Sequence, residues 1–457
     1  MPGNRTHVSR ERKEQIVELS DRYTTSEIAD ICEVAPRTVT RVLGLWRKSG
    51  DVVKVPDEPG RPRGLTGLDL EYLQNCIKRK PDIYLAELRS QLKEARGTDV
   101  SETTIMRSLQ RRGTGATGYI GGSILHGLVQ KFPENVEITA LVRNEEKATK
   151  VTAAHPHVKV AIGDFTSTEV IEKLAEESNI VIHTESDNLV PITAIIAGLS
   201  RRAAPSFLVH TSGTALIADI APSSYGEPPT KEWSDVADLD TIRAFPDEGH
   251  LHRHVDKLIL PLAAQTNNKI RTAIVCPPDI YGMGTGTGNT QSLLVPLYAE
   301  VLGAAPAGGG FVVGRGENIK SLSHIRDVVD LYLLLAGAAL QDGGAADWGA
   351  DGFYFTATSR LAFPEFARAF VATAKRRGWL PPTTPDAVQS RSPEELRGLL
   401  GGLGAYMWGS NAITNADRAK KVFGWESKSP SWQETLEEDM EAAFKEARTD
   451  SLKWRSS

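Results

Sequence analysis

Thr114-Gly115-Ala116-Thr117-Gly118-Tyr119-Ile120-Gly121-Gly122 is the most informative stretch of this 457-residue chain. Its glycines recur at intervals of three, and an apolar helical pattern follows them. Glycines at this spacing allow a tight turn and let a pyrophosphate approach the backbone. The N–H groups of the first helical turn then attract the anion. The stretch therefore predicts a dinucleotide-binding loop.

Short apolar runs alternate with helical patterns after this loop. The runs cover residues 137–142, 158–162, 180–183 and 207–210. Strands that alternate with helices are typical of a doubly wound parallel sheet. We therefore predict an α/β fold of Rossmann type.

The composition is that of a folded, water-soluble protein. Hydrophobic residues make up 40% and charged residues 24%, and the length suggests two or three folded units. Cys32, Cys76 and Cys276 lie too far apart in sequence to suggest a disulfide framework or a cysteine zinc site. The chain has no apolar run long enough to span a membrane and no secretory leader pattern. We expect a cytoplasmic protein without a membrane partner, or a nuclear one if its first part binds DNA.

The first part of the chain differs in charge and pattern from the rest. Residues 1–113 hold 21 Lys and Arg against 17 Asp and Glu, whereas the remainder holds 32 against 41. Helical patterns follow one another here. We predict an all-α head with a helix-turn-helix over 1–54, a basic linker over 55–65 and a second such unit over 66–112.

The order of these parts resembles the bipartite DNA-binding region of mariner-type transposases. The resemblance covers about residues 5–112 and includes the linker tetrapeptide Gly60-Arg61-Pro62-Arg63. It implies double-stranded DNA as a partner, with the linker arginines in the minor groove. A small helical bundle with a solvated basic face is the alternative. The implied DNA-facing residues are Arg37, Thr38, Thr40, Arg41, Arg61 and Arg63.

From Thr114 to about Ala443 the chain resembles the extended short-chain dehydrogenase/reductase family, in its epimerase/dehydratase group. Four further motifs carry this resemblance: GDF at 163–165, PPDIYG at 277–282, SHIRDV at 323–328 and KVFGW at 421–425. It implies a Rossmann domain over 113–352. A small C-terminal substrate lobe would cover 353–457 and take elements from 277–330.

The resemblance also implies where a dinucleotide would bind. Arg143 stands where NAD-preferring sites usually have an acidic residue, and a guanidinium there suits a 2′-phosphate. We therefore expect NADP rather than NAD, although Arg143 could also be an ordinary surface arginine. The implied cofactor-binding residues are Thr114, Gly115, Thr117, Gly118, Tyr119, Ile120, Gly121, Arg143, Asp164, Phe165, Lys257 and Pro277.

The catalytic residues depart from the family pattern. Ser212 or Thr214 could supply the hydroxyl that polarises a substrate oxygen, and Lys257 matches the lysine of the YxxxK motif. Position 253, however, is Arg rather than Tyr, and a guanidinium cannot act as acid or base at neutral pH. A histidine among His250, His252 and His254 could take over the proton transfer. No metal is expected.

The segment before the loop is a second departure. In this family an apolar strand leads into the glycine loop and lies mid-sheet, but here residues 104–112 read TIMRSLQRR. Burying three arginines would be costly. We expect either that Ile105 to Arg112 form a poor strand or that the sheet has a gap at its centre. A fusion of transposon-derived sequence, or a mis-joined gene model, would explain the pattern.

Taken together, the sequence predicts an NAD(P)-dependent oxidoreductase or epimerase-like enzyme. It would act on a carbonyl or secondary alcohol of a small molecule. The alternatives are a non-catalytic dinucleotide sensor and a DNA-binding protein with a vestigial enzyme body.

Overall fold

A computed structural model describes the chain in several stretches. They are residues 15–17, 19–20, 22–32, 34–49, 72–73, 85–96, 115–132, 136–219, 221–304, 309–400 and 402–449. The helices are α1 Thr25–Ile31, α2 Pro36–Ser49, α3 Leu85–Arg96, α4 Tyr119–Lys131, α5 Glu145–Ala154, α6 Thr168–Glu177, α7 Leu189–Arg201, α8 Leu239–Arg243, α9 Arg253–Ile259, α10 Leu262–Gln265, α11 Leu294–Ala304, α12 Ile325–Leu340, α13 Phe363–Arg376, α14 Pro393–Leu400, α15 Gly402–Gly409, α16 Asp417–Phe423 and α17 Trp432–Thr449. The strands are β1 Thr139–Val142, β2 Lys159–Ile162, β3 Ile180–His183, β4 Ser206–Thr211, β5 Glu232–Ser234, β6 Ile270–Cys276, β7 Asp279–Tyr281, β8 Phe311–Val313, β9 Ile319–His324, β10 Phe353–Phe355, β11 Ser359–Ala362, β12 Gln389–Arg391 and β13 Ile413–Asn415.

The chain divides into two compact units. The smaller contains α1 and α2, and the larger contains α3 and the elements after it. In the smaller unit Thr24 and Glu27 form a reciprocal capping box at the start of α1. Ile28 of α1 packs with Val39 and Val42 of α2. Of the second unit predicted over 66–112, the structure describes residues 72–73 and α3. The rest of that unit lies outside the described residues, as do Arg61 and Arg63, and the helix-turn-helix assignment stays a prediction.

The larger unit is built on parallel strands. β3, β4, β6 and β10 form one parallel sheet in the order β10-β6-β4-β3, and β1 pairs in parallel with β2. Apolar β-branched residues favour these strands, and all six residues of β4 are buried because helices cover both faces. The predicted doubly wound α/β fold is confirmed, and the four predicted runs coincide with β1 to β4.

The sheet is in two pieces within the described part of the chain. β1 and β3 line one cavity, and no described strand lies between them. The segment from Ile105 to Arg112, which we expected either to fill this place poorly or to leave it open, is outside the described residues. The two strands on either side of this space and the loop from Gly115 to Thr117 meet at one end of the sheet.

The last third of the chain forms a second apolar core. Strands β7, β9 and β11 form one small sheet, and β8 with β12 and β5 with β13 form two others. Tyr298 lies at the centre of this core, in contact with Phe311, Phe366, Phe370 and Trp408. Tyr281 also belongs to this core. None of the described helices is long and apolar enough to cross a membrane.

Candidate cofactor site and active site

The glycine loop forms a tight turn at the start of α4. Residues Gly115–Thr117 make a short 3-10 turn, and Gly118 is the N-cap of α4. Gly115 has a φ of +72°, which favours glycine. A Cβ at Gly121 would lie 2.2 Å from the carbonyl oxygen of Gly115, so only glycine lets the helix pack this closely on the loop. This cradle and the exposed N–H groups of the first turn fit a pyrophosphate.

The other predicted loop residues have mainly local roles. Thr117 is buried, and its Oγ1 lies 3.1 Å from Lys147 Nζ. The Tyr119 hydroxyl donates to the carbonyl of Gly282 at 2.6 Å, and burial raises its pKa well above the ordinary value. Ile120 packs against the sheet. Thr114 lies outside the described residues.

Two cationic side chains meet beside the loop. Arg143 follows β1 and lines the same cavity as Asp164 and Phe165. Lys147 lies one turn further on, in α5, where its backbone N–H donates to Asn144 Oδ1 at 3.0 Å. Burial lowers the pKa of Lys147, and the charge of Arg143 lowers it further. Lys147 was not predicted from the sequence, where it is one of several lysines in the helical pattern after Arg143.

Asp164 shapes the turn after β2. Its Oδ1 accepts from the N–H of Thr166 at 2.9 Å and from the Thr166 hydroxyl at 2.7 Å. These hydrogen bonds lower the pKa of the carboxyl, so it is ionised at neutral pH. The carboxylate therefore holds the turn, next to Phe165 in the cavity lining.

Ser212 lies just beyond the end of β4 and contacts a buried carboxyl group. Its Oγ donates to Asp256 Oδ2 at 2.7 Å. Asp256 is fully buried on α9, and burial raises its pKa to about 7, against the lowering effect of the Ser212 hydrogen bond. Asp256 was not predicted. In the sequence it lies between Arg253 and Lys257, which occupy the tyrosine and lysine positions of the YxxxK motif.

The three predicted histidines all have partners, and His252 has the most suggestive one. His252 Nδ1 lies 2.8 Å from Asp187 Oδ1. The ring also lies against Gly213, because a Cβ on that glycine would be 2.9 Å from His252 Nε2. The backbone of His252 is left-handed, with a φ of 69°. Aspartate-held imidazoles with one nitrogen toward a reacting hydroxyl are a common acid–base arrangement.

His250 and His254 have roles in the surrounding loop. His250 Nδ1 contacts the carbonyl of Leu216 at 2.7 Å, and His254 Nε2 contacts the carbonyl of Asp187 at 2.8 Å. In the part of the chain that the structure describes, no three metal-ligating side chains come together as they would around an ion.

The other residues that the family motif singled out do not contact Ser212 or Asp256 through the hydrogen bonds described here. Lys257 Nζ forms an ion pair with Asp247 at the surface. Arg253 donates to the carbonyls of Phe245 and Arg243 at 2.7 and 2.8 Å, so its guanidinium fixes the preceding loop. Thr214 is buried, and its N–H donates to the carbonyl of Pro277 at 3.0 Å.

A pair of buried histidines connects the strand ends. His183 Nδ1 and His210 Nδ1 lie 3.0 Å apart, so one donates and the other accepts. His210 Nε2 is 3.6 Å from Asp256 Oδ1. Burial lowers the pKa of both rings, for His183 to about 4, and keeps them neutral at pH 7. A polar chain therefore runs from β3 through β4 to Asp256 and Ser212.

Comparison with known proteins agrees with this geometry. Residues 115–219 match a family of domains described as NAD(P)H-binding. An oxidase of Acremonium, ucsJ, is 29% identical over 336 residues, which cover 71% of this chain and 94% of that protein.

Solved structures share the fold. A dTDP-glucose 4,6-dehydratase from Bacillus anthracis, in complex with NAD, superposes with a TM-score of 0.51 at 13% identity, over 73% of this chain and 96% of its own. UDP-glucose 4-epimerase from Thermotoga maritima gives 0.50 at 13% identity, over 73% and 97%. The chain therefore holds an NAD(P)H-binding domain over residues 115–219 and shares its overall fold with these structures.

Proposed function

We propose that the protein is an NADP-dependent oxidoreductase that acts on a carbonyl or secondary alcohol of a small molecule. The observation that carries this proposal is the group formed by Ser212, Asp256 and His252 at the carboxyl end of the sheet, where the NAD(P)H-binding loop also lies. Ligands of open α/β sheets bind at this edge.

The cofactor preference is argued from charge. The loop with Gly115 and Gly121 would hold the pyrophosphate, and Arg143 with Lys147 would hold the 2′-phosphate of NADP. When bound, the nicotinamide gives a hydride to the substrate carbon or takes one from it.

The residues of this chain would manage the proton. When Asp256 is protonated, its O–H can donate to Ser212 Oγ, and the serine hydroxyl can then donate to the substrate oxygen. His252, held by Asp187 through Nδ1, would give or take the proton at Nε2. In this proposal His252 is the acid and base. Arg253 has no part in the proton transfer, because its guanidinium is hydrogen-bonded to two loop carbonyls.

A screen of aldehydes and ketones, followed by NADPH absorbance, tests this function. For a turned-over substrate we expect Ser212→Ala and His252→Gln each to lower kcat by about 10²–10⁴-fold, with the NADPH Kd unchanged. Lys173→Gln serves as the control, because its exposed ammonium pairs with Glu177 at the surface. A sensor without catalytic activity would bind NADPH and consume none with any carbonyl.

Binding of double-stranded DNA by the smaller unit is a second proposal. Arg37 and Thr40 are exposed on the first turns of α2, where a recognition helix carries its base contacts. Duplex binding by the full chain should then weaken steeply with salt and weaken further in Arg37→Ala. Salt-independent binding, or none, would remove this proposal.

A further inference from the structure

Two strand edges of the larger unit face one cavity. Among the described residues, β1 pairs with β2 alone and β3 with β4 alone. All four residues of β1 and all four of β3 line a cavity of about 480 Å³, the same cavity whose other end is lined by the glycine loop, Arg143 and Asp164. A strand placed between β1 and β3 could therefore form backbone hydrogen bonds with the facing edges of both. We call this space the strand slot.

Helices cover the strand slot with apolar side chains. α4 packs with α12, and α6 packs with α7. Ile124 and Leu128 of α4, Ile171 of α6 and Ile195 of α7 line the cavity. A strand that is covered by helices on both faces takes apolar, β-branched side chains on both faces.

The residues of β3, beside the strand slot, are less buried than those of β4. All six residues of β4, which is paired on both edges, are buried. In β3, Ile180, Val181 and Ile182 are only half-buried although they lie in the middle of the fold. These side chains lack the neighbour that a further strand would give them.

We propose that the strand slot binds an extended apolar peptide of another polypeptide as an additional parallel strand. Main-chain hydrogen bonds to β1 and β3 would give affinity, and the apolar lining would select Val- and Ile-rich segments of four to six residues. The chain's own segment before the loop, 104–112, carries Arg107, Arg111 and Arg112 and no run of four apolar residues. Burial of those charges would be costly, which favours a partner strand over this segment.

The test uses the full chain and a defined peptide. The probe is a fluorescein-labelled peptide with the core Val-Ile-Val-Ile-Val between pairs of lysines. The control peptide has proline as its central residue, which removes a ladder N–H. We expect saturable fluorescence anisotropy with the first peptide and at least tenfold weaker binding with the second. Val181→Lys, which places an ammonium in the slot, should also weaken binding at least tenfold, whereas Leu293→Lys at the surface should not.

Hydrogen exchange locates the bound peptide and does not depend on a folded variant. In the unmodified protein without cofactor, the peptide should slow amide exchange in β1 and β3 at least tenfold and leave β4 unchanged. Absence of binding, or binding without protection of β1 and β3, would overturn the proposal. Neither readout requires enzymatic activity, so failure of the proposed function would not affect this result.

Discussion

Arg143 and Lys147 are the residues on which the proposed choice of NADP depends. They lie on one side of the glycine loop, and burial lowers the pKa of both. We predict that a double change to alanine lowers NADPH affinity by about 10–100-fold, on the order of 1.4–3 kcal/mol, and leaves NADH affinity within about twofold. Isothermal titration with both cofactors measures this.

Lys150→Ala is the matched control for this pair. Lys150 lies on the same helix, but its exposed ammonium pairs with Glu146. It should leave both affinities unchanged, because surface ion pairs contribute little. Equal losses of NADPH and NADH affinity in the double variant would contradict the assignment of the 2′-phosphate to these two cations.

The buried carboxyl group of Asp256 should make the free energy of unfolding depend on pH. Burial raises its pKa to about 7, whereas the unfolded chain has the ordinary value of 3.8. Between these values the folded protein keeps a proton that the unfolded chain has lost. The contribution of Asp256 to stability is therefore complete below about pH 4 and is lost as the pH rises through 7. Asp256→Asn should remove this slope, which amounts to about 3–4 kcal/mol.

Urea unfolding from pH 4 to pH 8 measures the effect as a difference between the two proteins. Asp235, with a pKa also raised to about 7, titrates in both proteins, so its share cancels. Asn at position 256 can still accept from Ser212. A free-energy difference between the proteins that does not change with pH would show that Asp256 is ionised throughout.

At the scale of elements, β3 and β4 should respond differently to the same change. Val209 of β4 is fully buried, whereas Val181 of β3 is half-buried beside the strand slot. Val209→Ala should cost about 2–3 kcal/mol of unfolding free energy and Val181→Ala about 1 kcal/mol or less. Urea denaturation of the chain without added peptide measures both. Equal costs would mean that the β1 side of β3 is as well packed as β4.

The buried strands were the elements most easily predicted from the sequence. The runs that gave β1 to β4 were readable because strands between two helix layers are continuously apolar. Tyr281, which belongs to the PPDIYG motif, is buried in the C-terminal core.

The candidate site was less accessible to sequence reasoning. The motif directed attention to Arg253 and Lys257, while the carboxyl group that meets Ser212 belongs to Asp256 between them. Asp187, which holds His252, lies 65 residues earlier in the chain. These side-chain contacts depend on how the strand ends come together at one edge of the sheet. A local sequence pattern therefore cannot predict them.

In the molecule as a whole, an NAD(P)H-binding domain contains a sheet that is divided, within the described residues, next to the glycine loop. The glycine loop and α4 keep their close packing beside the strand slot. We propose that cofactor binding depends mainly on the loop, the first turn of α4 and the cations after β1. This dependence can be tested before any substrate is known.

Titration of the purified full-length protein with NADPH and NADH, followed by tryptophan fluorescence, is the most direct test. We predict saturable binding that is tighter for NADPH than for NADH and at least tenfold weaker in Gly121→Ala, whose Cβ would collide with the loop. Gly337→Ala is the control, since a Cβ there would meet its first neighbour at 3.6 Å. A folded protein that binds neither cofactor would contradict the account.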